Sequence, residues 1–224
     1  MIKNSSFIYL SYFMNKNTPL YGGSKGVRVK LNSAIKNGDS SNTKKLSFHN
    51  HSGTHIDFPN HFIPEGKTSE AYRAQDWVFN HPYLLKVKAE ENELISFSEE
   101  QLRKLPKEID FLILKTGFGA FRGQEKYWKY NPGLSLDLAD KLRNNFPNLK
   151  VIGMDFISIT SFQNREIGRL THRKFLGGTP PILLVEDMEL SSLNKSPLSL
   201  ICAPLLIENL DGSPVTIIAE IDIT

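Results

Sequence analysis

Between residues 48 and 62 the chain reads FHNHSGTHIDFPNHF, which sets His49, His51, His55, Asp57 and His61 within fifteen residues. Each of the five could bind a metal or carry a proton. His51, His55 and Asp57 offer two imidazole nitrogens and a carboxylate oxygen, a donor set that suits zinc or manganese at a site with an open position. The stretch is not HExxH, and Gly53, the β-branched Thr54 and Ile56, and Pro59 all oppose a helix. An extended chain would put His51, Gly53, His55, Asp57 and His61 on one face, because side chains alternate with period two. A straight strand would nevertheless hold the Cα atoms of His51 and His55 about 13 Å apart at roughly 3.3 Å per residue. That is too far for both to reach one ion through bonds of about 2 Å. The chain must bend between them, and Gly53 is the residue that permits it. The competing reading is a set of surface and core histidines with no common role, and His49 is the member that fits it best.

These side chains need a frame. Residues 7–14 and 27–31 read as strands about a turn marked by Pro19, Gly22 and Gly23. Residues 83–89 form a further strand, and Ser98 followed by Gln101 has the spacing of a capping box that opens a short helix through Leu105. Residues 109–116 are apolar and central, ending at Gly117 and Gly119. Leu134, Leu138, Leu142 and Phe146 repeat every four residues, as the buried stripe of a helix does. Residues 150–160 predict another buried strand, and REIGRLTHRKFLGG a helix through Phe175 stopped by Gly177 and Gly178. PILLVEDM adds a strand, and SLICAPLLIENL and PVTIIAEIDI close the chain as a hairpin turning at Asp211 and Gly212. Strands alternating with a few helices indicate one α/β domain over residues 1–224, built around a mixed sheet.

Two loops are candidates for a pocket wall. The polar stretch 65–76, ending at Trp77, reads as a surface excursion beside the histidines. The loop after the central strand carries Phe118, Phe121, Tyr127, Trp128 and Tyr130, which could clasp an aromatic substrate or pack the loop onto the domain or a partner subunit.

Composition narrows the partners. Lys plus Arg number 27 against 24 Asp plus Glu, and no basic stripe is interleaved with aromatics, which argues against nucleic acid and for a small molecule. The lone Cys202 excludes an intramolecular disulfide and fits a reducing compartment, so the cytoplasm is expected. The N-terminal apolar run is too short and too interrupted by Ser and Tyr to span a membrane.

HSGTHIDFPNHF resembles the H-x-G-T-H-x-D-x-P-x-H motif of the putative cyclase family of metal-dependent hydrolases, with all seven fixed positions of the eleven present. The turn TPLYGGSKG keeps a proline and an aromatic, Pro19 and Tyr21, but has Gly22 and Gly23 where the family's Tyr-Pro-Gly pattern is usual. Tyr21 is thus either a pocket residue or a surface aromatic. Gly153, Asp155 and Ser158 resemble a G-x-D-x-x-S segment. Asp155 could orient a ligand imidazole there, or simply bond the strand end.

The resemblance implies a swivelling β/β/α fold with a barrel-like sheet, and a homodimer or homotetramer. It implies that His172 and Glu186 complete a metal set with His51, His55 and Asp57, holding one or two zinc or manganese ions per chain, with Asp57 as a possible bridge. Fourteen residues separate His172 from Glu186 where about twelve are usual, so Asp187 is the rival carboxylate. It also implies His61 as a general acid and base for metal-activated water attacking an amide. The expected activity is kynurenine-formamidase-like opening of a formamide, with a cyclic imide or lactam as the alternative substrate. A non-catalytic protein with a closed structural metal site is the reading from another class.

Overall fold

The computed structural model describes residues 4–24 and 26–223. Residues 1–3 of the N-terminal apolar run and Lys25 of the glycine-rich turn lie outside the described residues. In chain order the strands begin with β1 (Ser5–Tyr9), β2 (Arg28–Ser33), β3 (Thr43–Ser47), β4 (His55–Asp57), β5 (Val78–Phe79), β6 (Pro82–Lys86) and β7 (Leu94–Ile95). After helix α1 (Glu99–Arg103) come β8 (Phe111–Lys115), α2 (Glu125–Lys129), β9 (Gly133–Leu134) and α3 (Leu138–Asn145). β10 (Val151–Met154), α4 (Arg165–Leu176), β11 (Leu183–Glu186), β12 (Ser199–Pro204) and β13 (Gly212–Asp222) complete the chain.

Nine strands form one mixed sheet in the order β5-β12-β13-β4-β11-β10-β8-β6, with β1 also on β13. β6, β8, β10 and β11 run parallel, and β4 lies antiparallel to β11. The eleven-residue β13 is the joint: its first residues pair with β4, its later ones with β1, and its other edge takes β12. Changing partners along one strand curls the sheet into the expected nearly closed barrel. Phe111 to Leu114 are fully buried, as strands covered on both faces are. On α3 and α4 one stripe each is buried, Leu138, Ala139 and Leu142 against Thr171, His172, Phe175 and Leu176. Among the described residues no helix is long and apolar enough to cross a membrane.

Several elements differ from their sequence expectations. Leu134 is not the first turn of a helix but belongs to β9, which pairs in parallel with β7. Pro132 and Gly133 oppose helix there, so only the later leucines of the four-residue repeat are helical. The strand expected over 150–160 ends at Met154. Asp211 is not the tip of the terminal hairpin: Pro204 pairs with Val215, the connection runs over 205–211, and Gly212 already pairs with Asp57. The capping box stands as expected, with the Ser98 Oγ accepting from Gln101 N and the Ser98 N–H donating to Gln101 Oε1.

Candidate metal centre

The site lies beyond the C-terminal ends of β10 and β11, the end at which parallel α/β sheets present their ligand-binding loops. Register brings its first members together. His55 and Asp57 project from one face of β4, and Glu186 on β11 is the direct antiparallel partner of His55. Gly53 turns the preceding chain with φ of +67°, a conformation open to glycine, and swings His51 back over β4 as the spacing demands. Gly212 makes room for that ring, since a Cβ at this position would lie 2.2 Å from His51 Cε1. His172 arrives from the buried stripe of α4.

The donor atoms converge. His51 Nδ1 lies 2.9 Å from Asp57 Oδ1, and His55 Nε2 lies 3.4 Å from the same oxygen and 3.5 Å from Glu186 Oε2. His172 Nε2 is 3.6 Å from both Asp57 Oδ2 and Glu186 Oε1. Separations of 3.4–3.6 Å are too long for good hydrogen bonds. Donors set tetrahedrally about one ion, with bonds of about 2 Å, stand roughly 3.4 Å apart. The atoms form two triads, His51–His55–Asp57 and Asp57–His172–Glu186, that share Asp57.

The outer contacts support the same reading. His55 Nδ1 donates to the Gly53 carbonyl at 2.9 Å and His172 Nδ1 to the Gly168 carbonyl at 2.9 Å, which turns each Nε2 inward. Glu186 Oε1 accepts from Ser158 Oγ and Ile159 N at 3.1 and 2.8 Å. Asp57 and Glu186 are buried with no lysine or arginine partner among the described residues. Two buried carboxylates among imidazoles and without a fixed cation are a donor set that fits a divalent metal.

Charge coupling within the cluster is strong. Burial pulls the His51 imidazole down, but hydrogen bonds to Asp211 and Asp57 outweigh it and push the pKa up to about 10. His172 rises to about 9 because Asp57 and Glu186 overcome the cost of its burial. Burial opposes ionisation of Asp57, yet its histidine neighbours, His172 foremost, hold it well below the usual carboxylate range. His61 goes the other way, lowered chiefly by burial.

His61 sits in the short 3-10 turn after Pro59. Its Nδ1 donates to Asp211 Oδ2 at 2.7 Å, and its ring lies tilted against that of His51 with centroids 4.0 Å apart. Nε2 has no protein partner among the described residues, so it is the nitrogen available to a reacting group. Asp211 was not a candidate from sequence, where Asp-Gly reads as a turn. In the structure it also accepts from His51 Nε2 at 3.0 Å and Asn50 Nδ2 at 2.6 Å. His51, His61 and Asp211 form a third, more exposed grouping.

The remaining candidates separate cleanly. His49 is exposed and outside every grouping. Asp187 turns away from the donor atoms, and its carboxylate takes a two-pronged bond from Arg122 at 2.8 Å and one from the Tyr127 hydroxyl at 2.5 Å. Asp155 bonds Thr116 and Gly117 at the end of β8 and touches no imidazole, so the segment's contribution to the site is Ser158.

A cavity of about 450 Å³ opens onto the cluster, lined by Leu20, Tyr21, Phe62, Ile157, Arg165 and Arg169 beside the histidines. Tyr21 is therefore a pocket residue. The 65–76 excursion does not line this cavity; its Tyr72 packs with Trp77 on Phe58. Nor does the aromatic loop line it, because Phe118 and Tyr127 are buried and Trp128 packs on Phe162.

The fold and site define a class of metal-dependent hydrolases. The chain matches the family model described as putative cyclase over residues 8–161, and it belongs to that family. It is similar to kynurenine formamidase of Bacillus cereus, 27% identical over 215 residues that cover 96% of this chain and 97% of that one. Cyclase-like protein 1 of Arabidopsis thaliana is 26% identical, covering 92% of this chain and 81% of its own. Isatin hydrolase A from Labrenzia aggregata shares the fold with a TM-score of 0.83 and 19% identity, over 98% of this chain and 94% of that one. A predicted metal-dependent hydrolase from Bacillus stearothermophilus superposes with a TM-score of 0.75 and 18% identity, over 96% and 98%.

Proposed function

We propose that this protein hydrolyses a non-peptide C–N amide bond with the help of divalent metal, in the manner of a kynurenine formamidase. The observation that carries this reading is a pair of ligand triads that share the buried Asp57 and open onto a cavity. A structural metal site would be closed by four protein ligands, with no pocket over it. His51, His55, Asp57, His172 and Glu186 would hold one or two ions, zinc or manganese by the nitrogen and oxygen donors offered. When bound, such an ion lowers the pKa of water towards neutrality and polarises a carbonyl.

The chain's own residues do the rest. His61 Nε2 accepts a proton from the water that attacks the carbonyl carbon and returns it to the nitrogen as the C–N bond breaks, giving a carboxylic acid and an amine. Asp211 holds Nδ1 so that Nε2 faces the cavity, and its negative charge favours the imidazolium formed between the two transfers. Phe62, stacked on His172 with centroids 4.3 Å apart, and Ile157 give the cavity an apolar wall that limits water near the reacting atoms.

The buried lone Cys202 supports a reducing compartment, the cytoplasm. Val29, Leu31 and Leu46, exposed on the β2–β3 hairpin, support a homo-oligomer, a dimer or tetramer whose mass light scattering would give. The deciding experiment loads the purified protein with zinc or manganese and offers N-formylated aromatic amines and isatin-like cyclic imides. Hydrolysis lost to chelator and restored by metal supports the reading. Bound metal with no turnover of either class would favour the structural alternative.

A further inference from the structure

We propose that the Thr54 hydroxyl is a positioning group for the metal centre, fixing the strand that carries Glu186 against the bend that presents His51 and His55. This rests on the metal reading of the cluster and concerns how its two triads are held in register. Thr54 stands between Gly53, where the chain turns, and the ligand His55, while Asp187 directly follows the ligand Glu186. Antiparallel pairing of His55 with Glu186 would make Thr54 and Asp187 the next pair of the β4–β11 ladder. The two main chains part at that point. Asp187 enters the left-handed region with φ of +55° and gives its N–H to the Phe156 carbonyl, while the Thr54 carbonyl accepts from Val215 N on β13. A side chain supplies the missing rung: Thr54 Oγ1 donates to the Asp187 carbonyl at 2.6 Å.

The same hydroxyl accepts from Tyr12 N at 3.0 Å, so a residue only 2% exposed is held both as donor and as acceptor. Tyr12 returns to Asp187 by another route. The guanidinium carbon of Arg122 lies 3.9 Å from the centre of the Tyr12 ring, and Arg122 forks onto the Asp187 carboxylate at 2.8 Å. Thr54, Tyr12, Arg122 and Asp187 thus close a ring of contacts around the joint between the bend and β11. Met14 packs on the bend itself, where a Cβ at Gly53 would stand 3.2 Å from its Cγ. The pin needs the Asp187 carbonyl rather than its carboxylate, and asparagine at 187 would keep that carbonyl and tolerate the same backbone angles. What it holds is narrow. Glu186 stands 3.5 Å from His55 Nε2 and 3.6 Å from His172 Nε2, and a functional site requires such atoms to be held within about 0.5 Å. A hydroxyl that merely satisfied buried main-chain groups would change folding alone.

The test measures zinc affinity by competition with a fluorescent chelator, beside thermal unfolding of the metal-free forms, for wild type, Thr54→Val, Thr54→Ser and Thr116→Val. Thr54→Val keeps the shape and loses the hydroxyl, and its zinc affinity should fall about 10- to 100-fold, the usual cost of removing a group that orients ligands. Thr54→Ser restores the hydroxyl and should bind zinc as wild type does. Thr116→Val makes the same chemical change at a buried threonine that donates to Asp155 and accepts from Phe118 N, outside every donor grouping. It should unfold at a lower temperature with unchanged zinc affinity. Should Thr54→Val not fold, Thr54→Ala, whose smaller side chain leaves room for a water, takes its place with the same expectation. Zinc affinity unchanged at position 54, no rescue by serine, or an equal loss in Thr116→Val would overturn the positioning role. Failure of both the valine and alanine variants to fold, with Thr54→Ser intact, would also overturn it by assigning the hydroxyl to folding. If the affinities behave as described but no form hydrolyses an amide, the pin stands and the proposed activity falls. A wild type that binds no zinc removes both.

Discussion

His61 Nδ1 donates to Asp211 Oδ2 across 150 residues of sequence at 2.7 Å, and the same oxygen faces His51 Nε2 at 3.0 Å. One carboxylate thus orients both the proposed proton carrier and a proposed ligand. Asp211→Asn keeps the shape but removes the charge that stabilises an imidazolium at either ring. Turnover should fall about 10- to 100-fold, the usual cost of losing a partner behind a metal-binding histidine. Steady-state kinetics alongside metal analysis would show it, and an unchanged kcat would exclude the orienting role.

His61→Ala should leave metal content near that of wild type while turnover falls roughly 10²- to 10⁴-fold, the contribution of a positioned acid or base. Because burial lowers the His61 pKa from 6.5, the neutral, proton-accepting form persists to lower pH than in an ordinary imidazole. The acidic limb of the kcat/KM profile should accordingly have its midpoint below 6.5. Loss of metal in the variant would instead make His61 a ligand, and the mechanism would need another proton carrier; His49 is exposed and outside every donor grouping.

Glu186 and Asp187 should separate by readout. Glu186→Gln removes a donor from the second triad and should cut bound metal sharply. Asp187→Asn should spare the metal but leave the largely buried Arg122 without its counter-charge, at a cost of roughly 3 kcal/mol in folding stability. Elemental analysis and thermal unfolding, measured on both variants, decide the register. The reverse pattern would assign the ligand to Asp187.

Metal and protons should compete. Without metal the pKa values of His51 and His172 stand at about 10 and about 9, so at pH 7 both rings are protonated and must lose protons to bind an ion. Affinity should therefore rise with pH from 7 towards 9, with proton release visible when calorimetry is repeated in buffers of different ionisation enthalpy. For the chelated protein the sign reverses. Folded-state values above 6.5 mean that these histidines stabilise the fold below that pH, and the contribution is lost as pH climbs through about 9 and 10. A metal affinity flat across this range would contradict the coupling.

Much of the site was legible because it is local. His51, His55 and Asp57 lie within seven residues, and bond lengths alone require the bend that Gly53 makes with φ of +67°. The central strands β8, β10 and β11 and the capped helix α1 were legible for the same reason, since a short apolar run and a Ser-x-x-Gln box act over a few residues. What the tertiary structure decided is everything that depends on pairing between distant strands. Asp-Gly at 211–212 has the local signature of a turn, and only the register of β13 on β4 puts the aspartate between His51 and His61 and the glycine beneath the His51 ring. Glu186 and Asp187 are adjacent and chemically alike, and the antiparallel match of Glu186 with His55 alone aims one at the cluster and the other at Arg122. Composition left the aromatics of residues 118–130 as either a substrate clasp or packing for their loop; Phe118 and Tyr127 go into the core, where Tyr127 meets the buried Asp187. Side-chain type and spacing determine which groups can do chemistry; which of them meet is set by strand register, whose energy comes from contacts that no short window of sequence contains.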